Sequence, residues 1–302
     1  MKKKRYMPRM AAGDYTFVSI NSSVMIFLVL ITGYPILHLL FLSLSGKAVG
    51  NEFLLWPQEL TFRYYRTVLQ DHQVLHSGLV SVARTLLGTS SMLLVTSAAA
   101  FAMADRNLVG HKILWRIFII PMFIGGGMIP SYLLMQALGL TRTFWIYVIP
   151  GLFGGTYNMI LIKTFVEQLP DGLIDAAEID GANDIQMFFR IIIPLSTPIL
   201  ATIGLMAAIG HWNSYTDTMI YNAEVPNLHT LQYTLMLLLN RYSNTSIEAI
   251  QEMARQGVSG GVISPIGLKA ALTFVTIVPV MCVYPFLQKY FVKGLLIGAI
   301  KA

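Results

Sequence analysis

Residues 76–104 read HSGLVSVARTLLGTSSMLLVTSAAAFAMA, a run of 29 positions with a single charge, Arg84. An α-helix needs about 20 mostly apolar residues to cross a hydrocarbon core about 30 Å thick, so the run is long enough to span. It lacks the two-residue alternation of a barrel strand. Inside lipid every backbone amide must be satisfied within the segment, and a helix is therefore expected. Working outward, 15–44, 113–134, 144–165, 197–220 and 268–291 meet the same criterion. The expected architecture is an all-α integral membrane protein: a six-helix transmembrane domain over 15–302, preceded by a cytoplasmic segment, 1–14.

Composition agrees with that reading. The chain is 55% hydrophobic and only 12% charged, against about 45–50% and 25% in soluble domains. The basic amino end, Lys2-Lys3-Lys4-Arg5, precedes an apolar stretch too long for a cleaved signal, whose core is about 7–15 residues, and is read as leading into a retained first span. The net charge of +6 is not gathered into a basic patch with stacking aromatics, so nucleic acid is not an expected partner. With the amino end inside, thirteen of the 21 Lys and Arg residues fall on the cytoplasmic side. Both termini are accordingly expected in the cytoplasm. The single Cys, Cys282, lies in an apolar run and offers no disulfide or zinc pattern.

Three hydrophilic stretches remain. Residues 45–75, outside, carry Trp56, Phe62, Tyr64 and Tyr65, read as an interfacial aromatic belt. The external loop 221–265 is too long for an ordinary connection and is expected to be functional. Residues 167–198, inside, include PDGLIDAAEIDGANDIQMFFRIIIPLSTP from Pro170. This segment divides into two short helices at Gly181, a residue suited to the left-handed conformation that closes a helix. Asn183 and Gln186 have capping-box spacing. Ile185, Phe188, Phe189 and Ile192 then form an apolar stripe at helical spacing, and Pro194 and Pro198 end the helix by removing backbone donors. The stripe must be buried, either on the protein's own bundle or in another protein's groove.

Asp175-Ala176-Ala177, then Gly181, then Ile191, Ile193 and Pro194 keep the spacing of the E-A-A, Gly, Ile-x-Leu-Pro loop of ABC importer permeases. Asp175 stands for the usual Glu and Ile193 for the usual Leu. The segment resembles that loop. The chain from about Asp14 onward is similar to oligosaccharide permeases related to the maltose system's smaller membrane subunit, most of all the lipoprotein/polysaccharide type. Gly125-Gly126-Gly127-Met128-Ile129-Pro130, Leu138-Gly139-Leu140, Trp212-Asn213, Leu231-Gln232 and Phe291-Val292-Lys293-Gly294 carry the closer likeness. The resemblance implies a type I ABC importer permease fold in the cell (inner) membrane. Its expected partners are a second permease, an ATPase dimer, an external solute-binding protein, an oligosaccharide and membrane lipid. The ATPase-coupling residues are expected to be Asp175, Ala176, Ala177, Gly181, Ile185, Phe188, Phe189, Ile191 and Pro194. In the maltose system the loop corresponding to 221–265 contacts the binding protein, and a helical stretch at 246–255 is expected to do so here.

No ATP site is expected on this chain. A P-loop needs Gly, four residues, then Gly-Lys-Ser/Thr, whereas Gly46-Lys47 is followed by Ala48 and has Phe41 at the first position. No enzyme activity or cofactor is expected either. His72 and His76 have metal-binding spacing on a helix but lack a third ligand nearby, so no metal is expected. A secondary transporter is the main alternative, although ion coupling normally calls for carboxylates within the membrane. A membrane scaffold that recruits a cytoplasmic partner through the same loop is another. Gly125, Gly126 and Gly127 interrupt a span and can free carbonyls inside a cavity. Together with Tyr157, Asn158, Trp212, Asn213 and Tyr215 they form the candidate translocation path. The polar members of that set can equally hold helices together.

Overall fold

A computed structural model of the chain describes residues 12–46, 54–105, 107–152, 155–243 and 264–299. Among these residues the backbone is helical and no strand occurs; one isolated bridge joins Ser45 and Leu60. The chain divides into two units, Met1–Val68 with Thr245–Phe274, and Leu69–Asn244 with Val275–Ala302.

The first unit opens with α1 (Ala12–Leu44), whose most apolar stretch has no buried residue. A helix that is apolar on all sides and uncovered suits a lipid-facing position. Its end is tied by polar contacts to α2 (Arg63–Gln70): Ser43 Oγ donates to the Leu40 carbonyl at 2.7 Å and lies 2.6 Å from the Tyr65 hydroxyl. The expected aromatic belt separates into two kinds of residue. Trp56 and Phe62 are exposed, whereas Tyr64 is buried against Gly267, where an added Cβ would lie 2.5 Å from the ring.

The second unit is organised around α3 (His72–Ala104), an unbroken helix of 33 residues whose first turn is capped by the Asp71 carboxylate, accepting from Gln73 N at 2.8 Å. Small buried residues along α3, including Ser77, Ser81, Gly88, Ser97 and Ala100, let neighbouring helices approach closely. Met92, Ala100 and Met103 of α3 join Met159, Ile162, Val166, Ile192 and Ile203 in the main apolar cluster. Polar contacts add to the packing: Ser77 and Thr234 hydroxyls lie 2.8 Å apart, and Leu231 N donates to Ser81 Oγ at 2.8 Å.

The helices around α3 are shorter than the spans expected from the sequence. The 113–134 segment is α4 (His111–Phe123) and α5 (Met128–Ala137), separated by the unwound residues 124–127. Gly127, at φ +79°, takes a left-handed conformation there that a side chain would resist. The 144–165 segment opens with 3₁₀ turns Phe144–Tyr147 and Ile149–Gly151 and becomes α-helical only at α6 (Thr156–Val166). The 197–220 segment is α10 (Thr197–Asn213) and α11 (Thr216–Tyr221), broken at Ser214 and Tyr215. Between α6 and α10 lie α7 (Asp171–Ile179), α8 (Asp184–Met187), a π-turn over Phe188–Ile192 and α9 (Ile193–Leu195). Further along, α12 (Leu231–Ser243) packs on α3, and α13 (Pro265–Ala299) closes the described chain. Among the described residues three helices, Thr16–Leu44, His72–Ala104 and Ile266–Val283, are by themselves long and apolar enough to cross a membrane, and two bent pairs raise that number to five.

Close packing on α3 is testable at Gly88, where a Cβ would lie 2.6 Å from the His211 ring. Gly88→Val should destabilise the protein by about 1–3 kcal/mol through overpacking. Gly210→Ala, at a position with no atom within 4 Å of the added Cβ, should leave stability nearly unchanged. Thermal unfolding of the detergent-solubilised protein, followed by size exclusion, separates the two; equal melting of both variants would contradict the packing argument.

Candidate functional site

The segment between α6 and α10 is built from local rules. Its entry is held by Lys163, which donates to Glu167 at 2.6 Å and lies 5.2 Å from the centroid of the Trp115 ring. The carboxyl end of α7 is closed by Gly181, at φ +80°, with Ala182 N donating to the Ala177 carbonyl at 2.9 Å and Gly181 N to the Glu178 carbonyl at 3.0 Å. These two bonds are the Schellman closure, and they satisfy carbonyls that would otherwise be left over at a helix end. The next helix begins with the expected capping box: Gln186 N donates to Asn183 Oδ1 at 2.9 Å, and Asn183 N donates to Gln186 Oε1 at 3.1 Å.

Beyond that cap the structure corrects the apolar stripe. Phe188 is 6% exposed and its ring lies 5.9 Å from that of Phe101 on α3, so it is a core residue of this chain. Met187 and Ile192 are buried with it. Ile185 and Phe189, by contrast, are 69% and 53% exposed. The regular helical register assumed in the sequence reading is lost in the π-turn, where Ile193 N donates to the Phe188 carbonyl five residues back. Across this turn Phe188 and Ile192 face inward while Ile185 and Phe189 remain outside. Pro194 and Pro198 do not end the helix either. Each sits in the first turn of a new segment, where its missing donor is harmless, and the chain bends by 80° between Asp184–Leu195 and Thr197–Asn213.

The result is an exposed surface. Leu173, Asp175, Ala176, Ile179, Gly181, Ile185, Phe189 and Pro194 are exposed, Ile191 is half-buried, and Ala177 is buried. The acidic residues Asp175, Glu178, Asp180 and Asp184 of the same segment are exposed as well. Two capped short helices thus present uncovered Ile and Phe side chains in a polar setting, the arrangement used when a helix fits an apolar groove of a partner.

The candidate path residues are not equivalent. Trp212 is buried and its indole Nε1 donates to the Thr276 carbonyl at 3.1 Å, which fastens α10 to α13. Asn213, Tyr215 and Tyr157 are exposed, and Asn158 is half-buried beside Gly155. Gly125, Gly126 and Gly127 are exposed, and none has a neighbour within 3.4 Å of an added Cβ. The expected stretch 246–255 lies outside the described residues. The sequence reading missed the ion pair of Arg84 with Asp217. Its one signal was a lone charge within residues 76–104, and nothing in the sequence connects that charge to a carboxylate 133 positions away.

Interrupted apolar helices pack around a continuous one, with an exposed apolar helix-turn-helix between two of them. The chain belongs to the family of binding-protein-dependent transport system inner membrane components, which it matches over residues 10–297. It is thus a membrane-spanning transport subunit of the inner membrane with the type I importer permease fold. It is 32% identical over 274 residues to the polygalacturonan/rhamnogalacturonan transport system permease protein YtcP of Bacillus subtilis, covering 90% of this chain and 93% of that one. Protein LplC of the same organism is 33% identical over 273 residues, 90% of each chain. A chain from the crystal structure of a bacterial ABC transporter that imports the acidic polysaccharide alginate superposes with a TM-score of 0.82 at 29% identity, covering 94% of this chain and all of that one.

The division between Phe188 and Phe189 carries a prediction. Phe188→Ala should lower stability by about 3–5 kcal/mol, because it opens a cavity against Phe101. Phe189→Ala should melt within about 0.5 kcal/mol of the parent, as expected of an exposed position. Parallel thermal unfolding of the two variants checks this, and equal destabilisation would show that both rings belong to the core.

Proposed function

We propose that this chain is one of two permeases of an ATP-binding-cassette importer for an oligosaccharide or related glycan. The observation that carries this reading is the exposed Ile185 and Phe189 pair on a capped helix-turn-helix, set within a family of binding-protein-dependent transporters. The printed functions of YtcP and of the alginate importer support a glycan as cargo. A second, similar permease completes the path, an external binding protein delivers the cargo, and two ATPase subunits dock on the cytoplasmic surface. ATP is hydrolysed on those subunits, and this chain holds no cofactor. Six spans with both termini in the cytoplasm accommodate this arrangement; α4 with α5 forms the third span, unwound at Ile124 to Gly127.

The mechanism follows from the two faces. Loaded receptor outside and ATP inside must both favour the outward-facing state, since a ligand shifts an equilibrium only by its differential affinity. Movement of the ATPases is then transmitted through α7 and α8 to α6 and α10, because these short helices lie directly between those two in the chain. The Schellman closure at Gly181 keeps the two short helices at a fixed angle while they are pushed.

Two measurements test the coupling surface. Phe189→Ala should weaken ATPase docking about tenfold, since burying an aromatic side chain is worth roughly 1.5–3 kcal/mol. Gly181→Val places a side chain in the left-handed region at a cost of about 1–2 kcal/mol, and should lower uptake per ATP hydrolysed in reconstituted vesicles without preventing insertion. Unchanged docking and an unchanged ratio would remove the assignment.

Topology has its own test. In a Cys282→Ser background, Val109→Cys should resist an impermeant thiol reagent in intact cells while Glu224→Cys reacts. The reverse pattern would invert the proposed orientation.

A further inference from the structure

Arg84 is 3% exposed, more than three turns inside α3. A guanidinium within a membrane-embedded helix is costly and persists only with partners. Nη1 donates to the Ser214 carbonyl at 3.2 Å, and Nη2 pairs with the Asp217 carboxylate. The charge also lies 4.8 Å from the centroid of the Tyr147 ring. Ser214 Oγ donates to the same Asp217 oxygen at 3.2 Å. Behind this group, the Tyr147 hydroxyl donates to the Leu228 carbonyl at 2.7 Å and lies 3.0 Å from Thr218 Oγ1, which is 3.0 Å from Thr230 Oγ1.

These partners share a place in the fold. Ser214 and Tyr215 are the two non-helical residues that separate α10 from α11. A broken helix inside a membrane frees carbonyls that must be satisfied by neighbouring elements or by a water-filled cavity. Arg84 donates to one of them, and its charge at the carboxyl end of α10 also has the favourable sign for the helix dipole. Asp217 neutralises the guanidinium from the other side of the break. The exposed residues on either side of Ser214 are Asn213 and Tyr215.

The geometry points to Arg84 as a positioning residue of the transport path: held on unbroken α3, it fixes the α10/α11 break and with it the placement of Asn213 and Tyr215 toward cargo. Arg84 is too buried to touch the cargo itself. The inference rests on the proposed permease reading in one respect, that Asn213 and Tyr215 line the path.

The test uses the complete complex, reconstituted in vesicles with its ATPases and binding protein and supplied with an oligogalacturonide or a neutral oligosaccharide that stimulates ATP hydrolysis. Arg84→Gln should keep receptor-stimulated hydrolysis but lower uptake per ATP about tenfold, the scale of one lost hydrogen bond to a charged group. Arg84→Lys, which keeps the charge but not the two-pronged geometry, should fall between Gln and the parent. In a Tyr215→Cys, Cys282→Ser background, Arg84→Gln should also change the rate of thiol labelling at position 215 severalfold. Where Arg84→Gln fails to assemble, Asp217→Asn keeps the Ser214 contact and should shift both readouts in the same direction by less. A purely structural brace would lower hydrolysis and uptake together and leave their ratio intact, which would overturn the proposal, as would unchanged labelling. Asn213→Ala and Tyr215→Ala distinguish the two failures. If they lower the ratio and Arg84→Gln does not, the positioning role is wrong and the path stands; if none of the three lowers it, the path reading falls and this role falls with it.

Discussion

The absence of water around a membrane-embedded backbone governs the second unit. Each point where a helix stops inside the bilayer leaves carbonyls and amides that must find partners within the protein. The unit meets this requirement with one continuous helix, α3, against which interrupted helices pack. Arg84 on that helix supplies a donor to the break at Ser214, and Ser81 on the same helix accepts from the first amide of α12. Because α3 is unbroken, it can serve as the fixed element beside segments that change direction.

The segment between α6 and α10 solves its helix ends differently. The ends of its two short helices are closed locally, by the Gly181 closure and the Asn183–Gln186 box. The apolar side chains are then sorted by the π-turn. Phe188 and Ile192 fasten the segment to α3 and its cluster, and Ile185 and Phe189 stay exposed. One helical stretch of nine residues therefore carries a buried face and an exposed apolar face. A regular α-helix would have brought all four residues nearer to one side.

Prolines and glycines shape the route of the chain more than apolar periodicity does. Pro194 and Pro198 sit where new helical segments begin, and the 80° bend falls at the intervening Ser196. Gly127 and Gly181 take positive φ where the chain leaves a helix or begins one. Gly88 and Gly204, by contrast, are glycines for reasons of space, since a Cβ at either would meet His211 or Leu93 within 3.0 Å. The same residue type therefore serves backbone conformation in one place and helix contact in another, and spacing within the sequence does not distinguish them.

Local chemistry was legible in the sequence. Apolar length pointed to helices and a membrane, Gly181 marked a left-handed closure, Asn183 and Gln186 marked a cap, and the acidic-Ala-Ala to Pro spacing identified the permease class. Each of these depends on residues within about 30 positions of one another, so the chain alone carries the information. Which side of a helix faces inward was another matter. Phe188 and Phe189 are chemically identical neighbours, and only the hydrogen-bond pattern of the π-turn, together with Phe101 on α3, sends one into the core and leaves the other outside. Trp212 read equally well as a sugar platform or as a helix fastener, and only the fold brings its indole to the Thr276 carbonyl 64 positions away. The partner of Arg84 lies 133 residues away, and long-range pairing of charges is set by how helices stack, which no local rule encodes.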